Sequence, residues 1–374
     1  MPSPRWRRLS FELLESRDCP SVTASVVGGS LHVFSKNSAT LGITQTAAST
    51  YEITENGSVV ATRTGVTRSL FVTLGKHTAT DVTINLGGLA TVKNVSVHLG
   101  NGVNGLGVAN GTITGFLAVV GGNKADSVEL GDGSTSLTVN GHTSINTLGG
   151  TDSFTARSGV TLRGRFSSTL VENVSFNAGS VVQKNAMIVG GHNGNTIHLN
   201  GTVNGGVWFT GSMTTDTSHA TGAIGTSLSL VLKGGADTAN RSGSIGKNLH
   251  VVAAAHGGGK TVNLGGTVGN NVNIELGRGA DLVNFTGAIS GVFQLHTGRG
   301  NDQVKFFDAS TVSTARVNLG WGNDMFCLEA LAVITGDGKI NGAKGNDTFI
   351  TELPAIPPNV AQSHFETLEV STPC

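Results

Sequence analysis

"LGRGADLVNF", residues 276–285, places an acid, Asp281, two positions before Val283 and four before Phe285. In an extended strand those three side chains share a face. The apolar pair marks that face as the buried one, so the carboxylate is aimed at the core. The pattern recurs as "TGRGNDQVKF" (297–306), "LGWGNDMFCL" (319–328) and "AKGNDTFITE" (343–352). Its aspartates are Asp281, Asp302, Asp324 and Asp347, separated by 21, 22 and 23 residues. The same interval leads backwards through Asp237, Asp216, Asn195, Asn173, Asp152, Asp126, Asn104 and Asp81, with Lys260 in the slot of "GGGKTVNL". A second marker keeps step: Ile or Val at 113, 203, 224, 245, 268 and 289, each followed by apolar residues four and six positions on. A repeat of about 22 residues thus runs from about residue 60 to 350, and internal repeats outrank local readings of structure.

Composition supports a β-rich repeat. Glycine supplies 55 of 374 residues, about twice the usual share of roughly 7%. Segments such as "DVTINLGG" and "NVNIELG" alternate apolar and polar residues, and long 3.6-period runs are missing. Apolar content of 38% is enough for a core. With a formal charge of zero and 13% charged residues, the chain has no strong field for nucleic acid or an anionic membrane. No apolar run reaches the length of a membrane span.

A unit of about 22 residues with one Gly/Asp turn and two or three short strands cannot bury its apolar face alone. Stacked in parallel, such units form an all-β, single-stranded parallel β-helix, with a rise of about 4.8 Å per coil. About 13 coils make a rod on the order of 60 Å long, with a right-handed wind as the default. Val283, Val304, Phe326 and Phe349 should form one inward column. The expected boundaries are a basic tail over 1–20, a cap and first coil over 21–65, repeats over 66–352 and a C-terminal cap or tail over 353–374. Pro354, Pro357 and Pro358 lie in the last segment, which is expected to leave the regular coil.

The stacking raises an electrostatic question. Neighbouring carboxylates about 4.8 Å apart repel by about 3 kcal/mol at an effective dielectric near 20. Each Asp can accept N–H groups from its own glycine turn, with Arg278, Arg299 and Lys344 adding screening. Alternatively a cation lies between coils, since Ca²⁺ takes six to eight oxygen ligands. "GRGADLV", "GRGNDQV" and "GWGNDMF" resemble the hemolysin-type (RTX) calcium-binding nonapeptide G-G-x-G-x-D-x-U-x, where U is a large apolar residue, from its second glycine onward. "GAKGNDTF" has Ala343 at that glycine, and the motif occurs once per coil rather than every nine residues. The resemblance implies Ca²⁺ held by Asp281, Asp302, Asp324 and Asp347 with carbonyls of Gly279, Gly300, Gly322 and Gly345.

At the N-terminus, "PRWRRLSFELLESRDCPS" (4–21) has no apolar stretch of signal-peptide type. Leu14, Glu15 and Arg17 resemble the LEPR-XLL-type tag of large exported or surface proteins of planctomycete-type bacteria. Ser16 stands at the usual Pro position and Cys19-Pro20 replaces the Leu-Leu. The stretch over 30–66 also resembles the first coil region of such proteins. This resemblance implies an extracellular or cell-surface location.

Catalysis has weaker support. Parallel β-helices often carry polysaccharide lyases and hydrolases, which need paired carboxylates, or Ca²⁺ with a basic residue, in an open groove. Asp281, Asp302 and Arg299 lie on repeating turns, where the same residues recur for architectural reasons. His192, His198, His219, His250, His256 and His296 show no metal spacing. Cys19, Cys327 and Cys374 make an odd count without ligand spacing, and Cys327 reads as a strand residue. Trp321, at the tip of its turn, is an exposed structural residue or a platform for a sugar. The expectation is a non-enzymatic, exported or surface structural or adhesive β-solenoid, with envelope or extracellular polysaccharide or other surface proteins as partners. A polysaccharide-binding or polysaccharide-degrading β-helix is the alternative.

Overall fold

The computed structural model describes residues 21–36, 39–75, 79–89, 91–253, 257–354 and 356–371. The basic segment over 1–20 and His256 lie outside them. Among the described residues all regular structure is strand, wound as a parallel solenoid of about 13 coils spaced about 22 residues apart. No helix among the described residues is long and apolar enough to cross a membrane.

A regular coil contributes to three stacks of strands. The first holds the strand after the acid, for example Leu282–Phe285, Gln303–Phe306, Met325–Leu328 and Thr348–Thr351, each paired in parallel with the next. The second holds two- or three-residue strands around the Ile/Val marker, such as Thr202–Val203, Ser244–Ile245 and Thr267–Val268. There Val203, Ile224, Ile245, Val268 and Ile289 follow one another in register. The third holds strands such as Val207–Thr210, Leu228–Leu232, Leu249–Ala253 and Val272–Glu275. In the first and third stacks alternate residues point inward, as the period-2 pattern requires.

The expected inward column is present. Val283 pairs with Val304, Val304 with Phe326 and Phe326 with Phe349, and all four are fully buried. Aromatic rings fill the same end of the core: Phe306 lies 5.3 Å from Phe326, Phe326 5.4 Å from Phe349, and Phe349 5.5 Å edge-on from Phe365. Offset and edge-on pairs at such spacings contribute beyond simple burial.

The two ends differ. At the N-terminal end, strands Thr40–Ala47, Thr50–Glu55 and Ser58–Arg63 pair antiparallel, and Thr40–Ala47 then pairs in parallel with the first regular coil. A chain that reverses direction cannot template another parallel coil, so the hairpins end the ladder. Towards the C-terminus both long stacks continue past residue 352. Val360–Ser363 pairs with Gly338–Asn341, and Thr367–Val370 pairs with Thr348–Thr351. The proline-containing stretch therefore adds one more coil, whose Leu368 and Val370 remain about half exposed.

Candidate functional site

The buried acids form a single file along the solenoid. Asp281, Asp302, Asp324 and Asp347 are each no more than 2% exposed. The backbone N–H of each acid donates to Oδ1 of the next: Asp281 to Asp302 at 2.8 Å, Asp302 to Asp324 at 2.8 Å and Asp324 to Asp347 at 2.9 Å. Lys260 N–H donates to Asp281 at 2.6 Å and Asp347 N–H to Glu366 at 2.7 Å. The same link joins Asn104 to Asp126, Asp126 to Asp152, Asn195 to Asp216 and Asp216 to Asp237. The slot side chain thus fastens one coil to the previous one. In the last four coils the donor is the neighbouring coil rather than the acid's own glycine turn.

Two slots differ from the sequence reading. Asp81 and Asn173 are exposed. Thr80 and Glu172, one residue earlier, are buried in their place, Thr80 N–H donating to Asn104 and Glu172 accepting from Asp152 N–H. A regular 22-residue count cannot resolve a one-residue shift, and that shift turns a side chain to the opposite face. Glu366 extends the column 19 residues after Asp347, outside the G-x-G-x-D motif, so no motif marks it.

The glycines of the motif are required by stacking. Gly279, Gly300 and Gly322 have φ of +129°, +145° and +146°, which side-chain-bearing residues avoid. A Cβ on Gly300 would overlap the carbonyl oxygen of Gly279, and one on Gly322 or Gly345 would overlap that of Gly300 or Gly322. The carbonyls of Gly279, Gly300 and Gly322, three of the four named as ligands, therefore sit against the next coil's glycine.

The neighbouring cations do not screen the acids. Arg278, Arg299, Trp321 and Lys344 form an outward column of bridged residues. Arg299 lies 4.7 Å and Lys344 4.4 Å from the Trp321 ring, one from the coil on each side. Neither cation appears in the two ion pairs among the described residues, Arg157–Glu129 and Lys260–Asp237. The guanidinium and ammonium groups lie over the indole face on the outer side of the backbone, where such contacts are favourable, while the acids are buried on the other side.

Charge is handled differently along the file. Where Asn alternates with Asp, both carboxylate oxygens have partners. Asp126 accepts Asn104 Nδ2 at 3.0 Å and Gly122 N–H at 2.8 Å, and Asp216 accepts Asn195 Nδ2 at 2.6 Å and Ser212 N–H at 2.8 Å. At Lys260 a buried ammonium pairs with Asp237 at 2.8 Å and donates to the Gly235 carbonyl. In the last four coils, where every slot is Asp, Oδ2 of Asp281, Asp302, Asp324 and Asp347 is buried without a hydrogen-bond partner, as is Oδ2 of Asp152, which lies between Asp126 and Glu172 upstream. Burial pushes Asp281 and Asp324 up to about 7, and Asp302 and Asp347 are also raised by burial. An all-acid file therefore holds protons at neutral pH or takes a cation against its orphan oxygens. The acids stand in file rather than around a point: no three His, Cys, Asp or Glu among the described residues converge as a metal cluster.

Other candidates are structural in their contacts. His198 and His219 stack at 5.2 Å on the outer face of the first stack, and Asn240, Asn263 and Asn284 continue the file through amide hydrogen bonds. Cys327 is buried and disulfide-bonded. Arg241 is an inward residue that no motif marks; its guanidinium donates to carbonyls of Ala220, Gly222 and Ser244 at 2.5, 2.9 and 2.6 Å. Comparison with protein-family models, with curated proteins and with solved structures found no match.

Proposed function

We propose that this chain is a non-enzymatic structural or adhesive β-solenoid of the cell surface or extracellular space, its last coils stabilised by calcium. The observation that carries the reading is the use of the acids. Oδ1 of Asp281, Asp302, Asp324 and Asp347 each accepts the N–H of the preceding coil, so the carboxylates a catalytic reading would need hold the stack together. Polysaccharide of the envelope or matrix, or other surface proteins, are the partners that fit this role.

Calcium has support in the orphan Oδ2 atoms of these four consecutive acids, which are hard oxygen donors and raised in proton affinity. Asp281, Asp302, Asp324 and Asp347 would hold it, with carbonyls of Gly279, Gly300, Gly322 and Gly345 as the remaining protein oxygens. A bound ion would offset the charge of neighbouring acids without moving Oδ1 from its amide. Ligand bound only by the folded state stabilises it by about 2.7 kcal/mol at a hundred times its dissociation constant. Chelator-treated protein at pH 8 is thus expected to melt higher on adding millimolar Ca²⁺, and Asp302→Ala to blunt the rise more than Asp126→Ala. Equal melting with chelator and calcium removes the calcium reading. Protease shaving of intact cells checks the location, and a chain protected until lysis would overturn it.

A further inference from the structure

The last coils present an outward face that the carboxylate column does not use. Pairing in the third stack aligns Gln294 with Arg316 and Lys339, and His296 with Asn318 and Asn341. The adjoining turn aligns Arg299, Trp321 and Lys344. Three coils thus carry a grid of nine side chains, spaced about 4.8 Å along the axis. Two shallow depressions, of about 480 and 420 Å³, lie on this face and share His296 and Asn318. Arg299, Arg316, Lys339 and Lys344 are exposed, and none is in an ion pair among the described residues. The nine residues include no acid; Asp337, two residues before Lys339, is exposed beside them, and Glu275, in the preceding coil, is hydrogen-bonded to Asn273 at 3.0 Å. In a chain of zero formal charge, such a local excess of positive charge is a distinct feature.

We propose that this face binds a linear acidic polysaccharide, bearing uronate or sulfate groups, laid along the solenoid axis. The proposal rests on the surface-associated reading above and names the partner of that role. Cations repeat coil by coil, as a polymer with regularly spaced anionic groups requires. Arg299 and Lys344 are positioned against Trp321 before any ligand arrives, which lowers the ordering cost of binding. Gln294, Asn318, Asn341 and His296 lie between the cations and offer hydrogen bonds to hydroxyl groups. A single-stranded nucleic acid fits less well. It is held by aromatic faces that stack successive bases, whereas the one indole here already carries Arg299 and Lys344 against its ring.

The test is titration of the full chain, in chelator so that calcium cannot bridge, with oligogalacturonate, dextran sulfate, neutral dextran and a single-stranded oligonucleotide. Expected are binding of an acidic glycan that weakens with salt, none of neutral dextran, and weaker binding of the oligonucleotide. Arg316→Gln with Lys339→Gln should reduce acidic-glycan affinity about tenfold while leaving the melting temperature unchanged, because both side chains are exposed. Equal binding by wild type and the double variant overturns the proposal, as does preference for the oligonucleotide or the neutral polymer. Failure here with the chain still accessible on intact cells overturns the glycan site alone; a chain inaccessible there overturns the surface role on which it rests.

Discussion

Lys260 shows how one residue can change the chemistry of a repeat without changing its geometry. It occupies an acid's slot and still donates its backbone N–H to Asp281, while its ammonium neutralises Asp237. Both partners are buried. Removing one charge from a buried pair costs about 3–5 kcal/mol, whereas replacing both by apolar groups of similar volume is often neutral or stabilising. Lys260→Met is accordingly expected to destabilise by about 3 kcal/mol at pH 8, and Lys260→Met with Asp237→Leu to recover most of the loss. Denaturant unfolding of the two single variants and the double variant reads the coupling. Simple additivity would mean that the two side chains do not compensate one another.

At the scale of the acid file, the raised proton affinities fix the sign of the pH dependence. Asp281 and Asp324 titrate near 7 in the folded chain and near the ordinary aspartate value of about 3.9 when unfolded. The folded state holds these protons more tightly. Their contribution is therefore full below about pH 4 and is lost as pH rises through about 7. Asp132, held low by amides of Thr135 and Ser134, acts with the opposite sign, in the range below pH 4. Chelated protein should melt lower at pH 8 than at pH 5. Asp302→Asn would place an amide donor in the file, as Asn104 and Asn195 do beside Asp126 and Asp216. That variant is expected to melt higher than wild type at pH 8 in chelator and to respond less to pH. A melting temperature independent of pH between 5 and 8 would remove the proton from the column. Much of this element is legible in the sequence, because the acid lies two residues before an inward apolar residue and strand parity carries both to the same face. What is not legible is the partner of each acid. An N–H from a residue 21 to 23 positions earlier leaves no local signature, and the slots at Thr80, Glu172 and Glu366 are displaced from the count. The direction of Arg299 and Lys344 is equally hidden, since the indole that draws them lies on a different coil in each case.

For the whole molecule, the period of about 22 residues makes the parallel stack readable, but the two ends depend on departures from the repeat. The antiparallel strands over residues 40–63 close one end, and the half-exposed Leu368 and Val370 leave the other with fewer contacts. In a stack where each coil touches only its neighbours, stability is transmitted one interface at a time. Opening is therefore expected to begin at Thr367–Val370 and to run towards the hairpins. Hydrogen exchange should record this as a gradient, with amides of Thr367–Val370 exchanging first, those of Thr348–Thr351 later and those of Gln303–Phe306 later still. Uniform exchange along the rod would show that it opens as a single cooperative unit. Each proton or ion added to the last acids would then act as a latch on the end where unravelling begins.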